Sequence, residues 1–261
     1  MIFESSYGEI YYEIHGQNDA VTVVFVHGML ADHKMFQQQL SEFKEQYRVL
    51  LWDMPEHGQS VKLNREFSFS IVAECLIELL DGLGIDKVVL AGVSMGGYVS
   101  QYIAGKYPER VIGVAVEGGH PLHFKLAGPV SLMFQFVSLI FKLTPLSIIR
   151  SYFVKMTPGD EGKRYIENIF SQLDKRRILH IFNGLKKQLL QGTEKPVQLP
   201  VLITHGEKEA PFFRKMCEQW HNSSPETSYM VIPGAGHDAM FTKPDEYNKA
   251  LQLFLDRLPK G

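Results

Sequence analysis

The chain has 261 residues, of which 45% are hydrophobic and 21% charged, and 27 basic side chains against 29 acidic ones leave a formal net charge of −2. That balance lacks the basic excess of a nucleic-acid footprint. A chain of this length buries about three quarters of its unfolded surface, so stability requires neither a disulfide nor a structural metal. Its two cysteines, Cys75 and Cys217, stand outside any C-x-x-C or histidine-rich spacing.

Met1 to Ser6 carries no basic stretch followed by an apolar one, so no secretory signal is expected, and a reducing cytoplasm is the expected location. Ile10, Tyr12 and Ile14 alternate with polar residues as in a half-exposed strand. Unbroken β-branched runs follow at Val21–Val26, Val49–Trp52, Val88–Val93, Val111–Val116, Val201–Thr204 and Tyr229–Ile232. Such runs fit strands covered on both faces, as in parallel sheets. Amphipathic helices are expected between them: Val72, Cys75, Leu76, Leu79, Leu80 and Leu83 recur at helical spacing, as do Tyr247, Ala250, Leu251, Phe254 and Leu258. The pattern predicts an α/β fold, a mostly parallel, doubly wound sheet with helices on both sides.

The alternation stops between His120 and Pro196. That stretch reads as helices broken at Gly128-Pro129, Pro145 and Pro158-Gly159. A helical cap over residues 120–196 is therefore expected, inserted into a core domain made of 1–119 and 197–261. Val130–Phe141 is its most apolar segment. It is shorter than the roughly 20 residues that span a bilayer, and is expected to be a buried or substrate-facing helix rather than a membrane span.

In open α/β sheets, ligands bind beyond the carboxyl ends of the strands. The residue after Val88–Val93 is Ser94, within Gly92-Val93-Ser94-Met95-Gly96. In a nucleophile elbow, a sharp strand-to-helix turn strains the serine and exposes its hydroxyl. The five residues are short enough to recur by chance, and a capping serine in a glycine-rich turn is the plainer alternative. A strand before the motif and a helix over Gly96–Tyr107 after it favour the elbow. A serine also needs a base. Of ten histidines, His237 in Gly234-Ala235-Gly236-His237-Asp238 follows the last strand, where glycines allow close approach. His27 and His57 also lie at strand ends.

Taken together, His27-Gly28-Met29, Asp53-Met54-Pro55-Glu56-His57-Gly58-Gln59-Ser60 and Gly92-Val93-Ser94-Met95-Gly96-Gly97 resemble three motifs of the α/β-hydrolase fold superfamily. The resemblance covers nearly the whole chain outside the cap, with Glu56 where that family usually has glycine. It implies a serine hydrolase whose triad runs nucleophile, acid, histidine along the chain, hence Ser94, an acid and His237. The acid position falls on Glu209, where the family usually has aspartate, with Glu207 and Glu117 as alternatives. The amides of Met29 and Met95 are implied as the oxyanion hole. The cap, rich in Phe124, Phe134, Phe136, Phe141, Phe153 and Phe170, is expected mostly to pack onto the core and partly to line a pocket.

The expected activity is hydrolysis of an ester or related acyl compound of a small, largely apolar substrate, without cofactor or metal and without a nucleic-acid partner. Carbon–carbon bond hydrolysis, lactone opening, peroxide-dependent acyl chemistry, elimination and slow-turnover reception of a small molecule are alternatives on the same residues.

Overall fold

The unbroken apolar runs form the inner strands of an eight-stranded sheet in a computed structural model, which describes residues 1–124, 128–157, 159–224 and 226–259. The strands are β1 (Ile2–Ser5), β2 (Gly8–His15), β3 (Thr22–Val26), β4 (Arg48–Trp52), β5 (Val88–Val93), β6 (Val111–Glu117), β7 (Val201–Gly206) and β8 (Ser228–Ile232). Their spatial order is β1-β2-β4-β3-β5-β6-β7-β8. β1 and β2 form an antiparallel hairpin, β2 meets β4 antiparallel, and every pair from β4 onward is parallel.

Side chains alternate along each inner strand, and the alternation sorts them into two cores. Val24 and Val26 of β3, with Leu50 and Trp52 of β4, join α2 (Phe69–Gly82) and α3 (Met95–Lys106). Val23 and Phe25, with Val49 and Leu51, face α1 (Gln37–Phe43) and α10 (Pro244–Leu255). Two-sided burial explains why these strands read as continuous apolar runs rather than alternating ones. The chain leaves β3 for β4 on one side and returns to β5 on the other. The C-terminal ends of β3 and β5, where Val26 pairs with Gly92, therefore flank a topological switch point.

Among the described residues, four helices lie between β6 and β7: α4 (Gly128–Leu143), α5 (Leu146–Met156), α6 (Asp160–Gln172) and α7 (Lys175–Gln191). α7 is seated on the sheet domain through Ile178, Ile181 and Leu185, which share a buried cluster with α2. Phe134 and Phe141 of α4 pack against Phe182 of α7 with ring centroids 6.1 and 5.2 Å apart. Residues 125–127 and Pro158 of this stretch lie outside the described residues. Three further helices complete the chain: α8 (Pro211–Ser223), the single-turn α9 (Ala239–Thr242) and α10.

Two expectations need correction. Ile2–Ser5 is a strand that the sequence reading did not mark, because a four-residue edge strand half exposed on both faces leaves little apolar signal. The apolar segment now seen as α4 is not simply buried: one face packs on α7, while Leu132, Phe136 and Leu143 on the other are 68%, 62% and 70% exposed. No single helix among the described residues is long and apolar enough to cross a membrane.

Candidate active site

Ser94 stands alone between the last residue of β5 and the first of α3, with φ 52° and ψ −118°. A non-glycine residue in that region costs about 1–3 kcal/mol, so the surroundings must impose it. They do so by proximity. A Cβ on Gly96 would strike the Val26 carbonyl oxygen, and one on Gly92 would strike the Gly96 backbone. Only glycine at both positions lets α3 start this close to β3 and β5. The Ser94 amide donates to the Glu117 carbonyl at 2.8 Å, and the Ser94 carbonyl accepts from Gly97 at 3.0 Å.

The Ser94 hydroxyl meets His237, which arrives on the loop after β8. Ser94 Oγ is 3.0 Å from His237 Nε2, and His237 Nδ1 is 2.6 Å from Glu209 Oε2. An imidazole that donates through Nδ1 to the carboxylate keeps Nε2 free to accept the serine proton. The other Glu209 oxygen accepts the Ala210 amide at 2.8 Å, which fixes the carboxylate plane. Ala210 is extended, with φ −56° and ψ 134°, as the following Pro211 requires.

Charge follows the same line. Burial acts to lower the His237 pKa, but the hydrogen bond and charge of Glu209 outweigh it and the net shift is upward from 6.5. Burial acts to raise Glu209, and His237 more than reverses this, so its carboxyl sits below its ordinary range. The His237 side chain is 48% exposed, so solvent reaches the ring.

The rival groups are occupied elsewhere. His27 is buried, with Nδ1 2.9 Å from the Gly28 carbonyl and Nε2 accepting the Met54 amide. His57 is buried, with Nδ1 3.0 Å from the Pro55 carbonyl. Glu207 accepts the Gly234 amide. Glu117 accepts the Thr204 hydroxyl and the Ala239 amide, and burial pushes its carboxyl up to about 7. Neither Glu207 nor Glu117 is hydrogen-bonded to the imidazole; Glu117 instead tethers the loop that carries it.

Over the elbow passes the turn after β3. A Cβ built on Gly28 would lie 3.6 Å from Ser94 Cβ. Met29 follows Gly28 in this turn and Met95 follows Ser94 in the elbow, and neither amide donates to a protein acceptor among the described residues. Tyr165 of α6 reaches this turn, accepting the Asp32 amide at 3.0 Å and donating to the Asp32 carboxylate at 3.2 Å.

Two contributors, Gly118 and Phe213, escaped the sequence reading, and the contacts of a third, Glu56, were not anticipated. Gly118, at φ 62°, brings β6 under the imidazole: a Cβ there would lie 3.2 Å from His237 Nδ1. The double glycine after β6 was its only signal. Phe213, near the start of α8, stands with its ring centroid 6.4 Å from that of His237. Glu56, the departure from the family pattern, adopts a left-handed conformation that favours glycine, with φ 71°. Its carboxylate accepts the Leu63 amide at 2.8 Å and approaches Arg177 and His180 of α7 at 3.4 and 3.1 Å.

The chain has relatives among known proteins. A family described as alpha/beta hydrolase fold matches residues 21–133. The chain is 27% identical over 94% of its length to the dihydrolipoyllysine-residue acetyltransferase component of an acetoin cleaving system from Pseudomonas putida, spanning 66% of that protein. It is 23% identical over 95% of its length to carboxylesterase YbfK of Bacillus subtilis, spanning 85% of that protein. Among solved structures, an esterase from Exiguobacterium antarcticum superimposes with a TM-score of 0.84 at 20% identity, covering 98% of this chain and 99% of its own.

Proposed function

We propose that this chain, which has the α/β-hydrolase fold and matches that family's model over residues 21–133, is a serine hydrolase cleaving an ester or related acyl compound of a small, largely apolar substrate. The observation that carries the reading is the unbroken hydrogen-bonded line from Ser94 Oγ through His237 to Glu209.

In this proposal Ser94 Oγ attacks the substrate carbonyl while His237 Nε2 takes its proton. The Glu209 carboxylate holds the tautomer and stabilises the imidazolium. The tetrahedral oxyanion is bound by the Met29 and Met95 amides, whose free N–H groups support the assignment; one such donor is worth about 2.7–4 kcal/mol of barrier. Collapse expels the alcohol, which leaves with the proton from His237, and the acyl group stays on Ser94. Water then loses a proton to His237 and attacks the acyl-enzyme. The acid departs and Ser94 regains its proton.

Residues 120–196 are, in the same proposal, a cap over the site, supported by the Tyr165 contact with the turn after β3. Phe213 beside His237 and the apolar Met29 side chain favour an apolar substrate. A cytoplasmic setting is part of the reading, consistent with two free, buried cysteines.

Steady-state hydrolysis of a nitrophenyl ester series tests the proposal. Each methylene on an apolar wall adds about 0.8 kcal/mol of binding, so rates should rise with acyl length until the pocket is full, and Ser94→Ala should abolish turnover. Wild-type rates in the alanine variant would remove Ser94 from the mechanism. A single slow turnover by the native protein would favour a receptor, and a preference for charged acyl groups would contradict the apolar pocket.

A further inference from the structure

α4 has two apolar faces, and among the described residues its packing is concentrated on α7. Phe134 and Phe141 pack on α7. Leu132, Met133, Phe136, Leu139, Ile140 and Leu143 are all exposed, at the i, i+1, i+4, i+7, i+8, i+11 spacing of a single helical stripe. α5 continues the surface with exposed Ile148 and Tyr152, one turn apart, while Ile149 is buried beneath. Surface residues of this kind occur singly on most proteins; six on one stripe of a single helix mark a binding surface.

The charges carried by α4 and α5 themselves have one sign. Between Glu117 and Asp160 the chain contains no acidic residue. Lys142, Arg150 and Lys155, all exposed, lie on the two helices. The cleft beyond Lys142 adds Lys175 and Arg176, offset by Asp174 and Glu66. No single helix among the described residues is long and apolar enough to span a bilayer: α4 has 16 residues, or about 24 Å of helix, and the α4–α5 pair, apolar enough when taken together, is bent by 114°. Two short helices that turn apolar side chains outward between cations suit the plane of a membrane interface.

We propose that the α4–α5 face docks on an anionic lipid surface, with the stripe entering the acyl boundary and Lys142, Arg150 and Lys155 meeting the headgroups. A second copy of this chain fits less well, because a two-fold contact through the face would set cation against cation with no acidic partner. The inference does not depend on the catalytic role of Ser94, and its test reads binding rather than turnover.

The full chain is sedimented with phosphatidylcholine vesicles that contain or lack phosphatidylglycerol. Binding should require phosphatidylglycerol and weaken as salt rises. Lys142→Gln, Arg150→Gln and Lys155→Gln combined should weaken it on the order of a hundredfold. Phe136→Asp with Leu139→Asp should abolish it, and the milder Leu139→Gln with Leu143→Gln should reduce it. All these variants should keep the wild-type melting transition and rate on a short, soluble ester. Failure to sediment with either vesicle, or equal binding to neutral ones, overturns the proposal. So does a dimer that Phe136→Asp dissociates in a protein that ignores vesicles.

Discussion

The central sheet and the helical insertion use apolar residues in opposite ways. In β3, β4 and β5 every apolar side chain goes to one of two cores, so hydrophobicity and burial coincide. In α4 the apolar residues outnumber the positions that packing on α7 can use, and the excess faces solvent. The sheet is shaped by its own stability, whereas the insertion carries surface that folding alone does not require. The proposed chemical groups, Ser94, Glu209 and His237, all stand on loops at strand ends of the first region.

The largest expected effect separates two phenylalanines. Phe25→Ala, in a fully buried position of β3, should cost about 3–5 kcal/mol. Phe136→Ala, on the open face of α4, should stay within about 0.5 kcal/mol. Urea midpoints of the two variants measure the difference. Equal losses would mean that the α4 face is covered and would erase the contrast.

A smaller effect concerns the junction between the regions. Glu56→Gly should relieve about 1 kcal/mol of backbone strain but orphan the buried Arg177, which costs about 3 kcal/mol or more. A net loss of about 2 kcal/mol is expected, and adding Arg177→Met should recover much of it. A Glu56→Gly protein as stable as wild type would show that the contact to α7 contributes nothing.

Outside the stability scale, and plain in its sign, is the response of activity to pH. In the proposed mechanism hydrolysis needs neutral His237, whose pKa is raised from its ordinary 6.5 by Glu209. Activity should therefore fall with acid through a midpoint above 6.5. Glu209→Gln removes the group that raises this pKa, so the residual activity should show its acid limb at lower pH, with kcat reduced by up to about ten-thousandfold. Glu207→Gln should leave both limb and rate near wild type, because Glu207 contacts Gly234 rather than the imidazole. If Glu207→Gln collapses the rate instead, the acid is misassigned.

The parts legible in sequence were those fixed locally. The strand runs were plain because two-sided burial leaves no polar position in them, and the elbow was plain because only glycine clears the Val26 carbonyl beside Ser94. Glu209 was legible in part, since its place in a short loop is a matter of chain order, while its reach to His237 is not. Contacts between distant segments left no trace: nothing near Glu56 in sequence points to Arg177 or His180. Periodicity marked α4 as apolar, yet it reports which side chains share a face and not what that face meets.

The most direct test of the central claim is covalent. Incubation with a fluorophosphonate probe, followed by intact-mass measurement and peptide mapping, should give a single adduct on Ser94, absent from Ser94→Ala and formed far more slowly in His237→Ala. An unmodified protein, or an adduct mapped to any residue other than Ser94, would contradict the account.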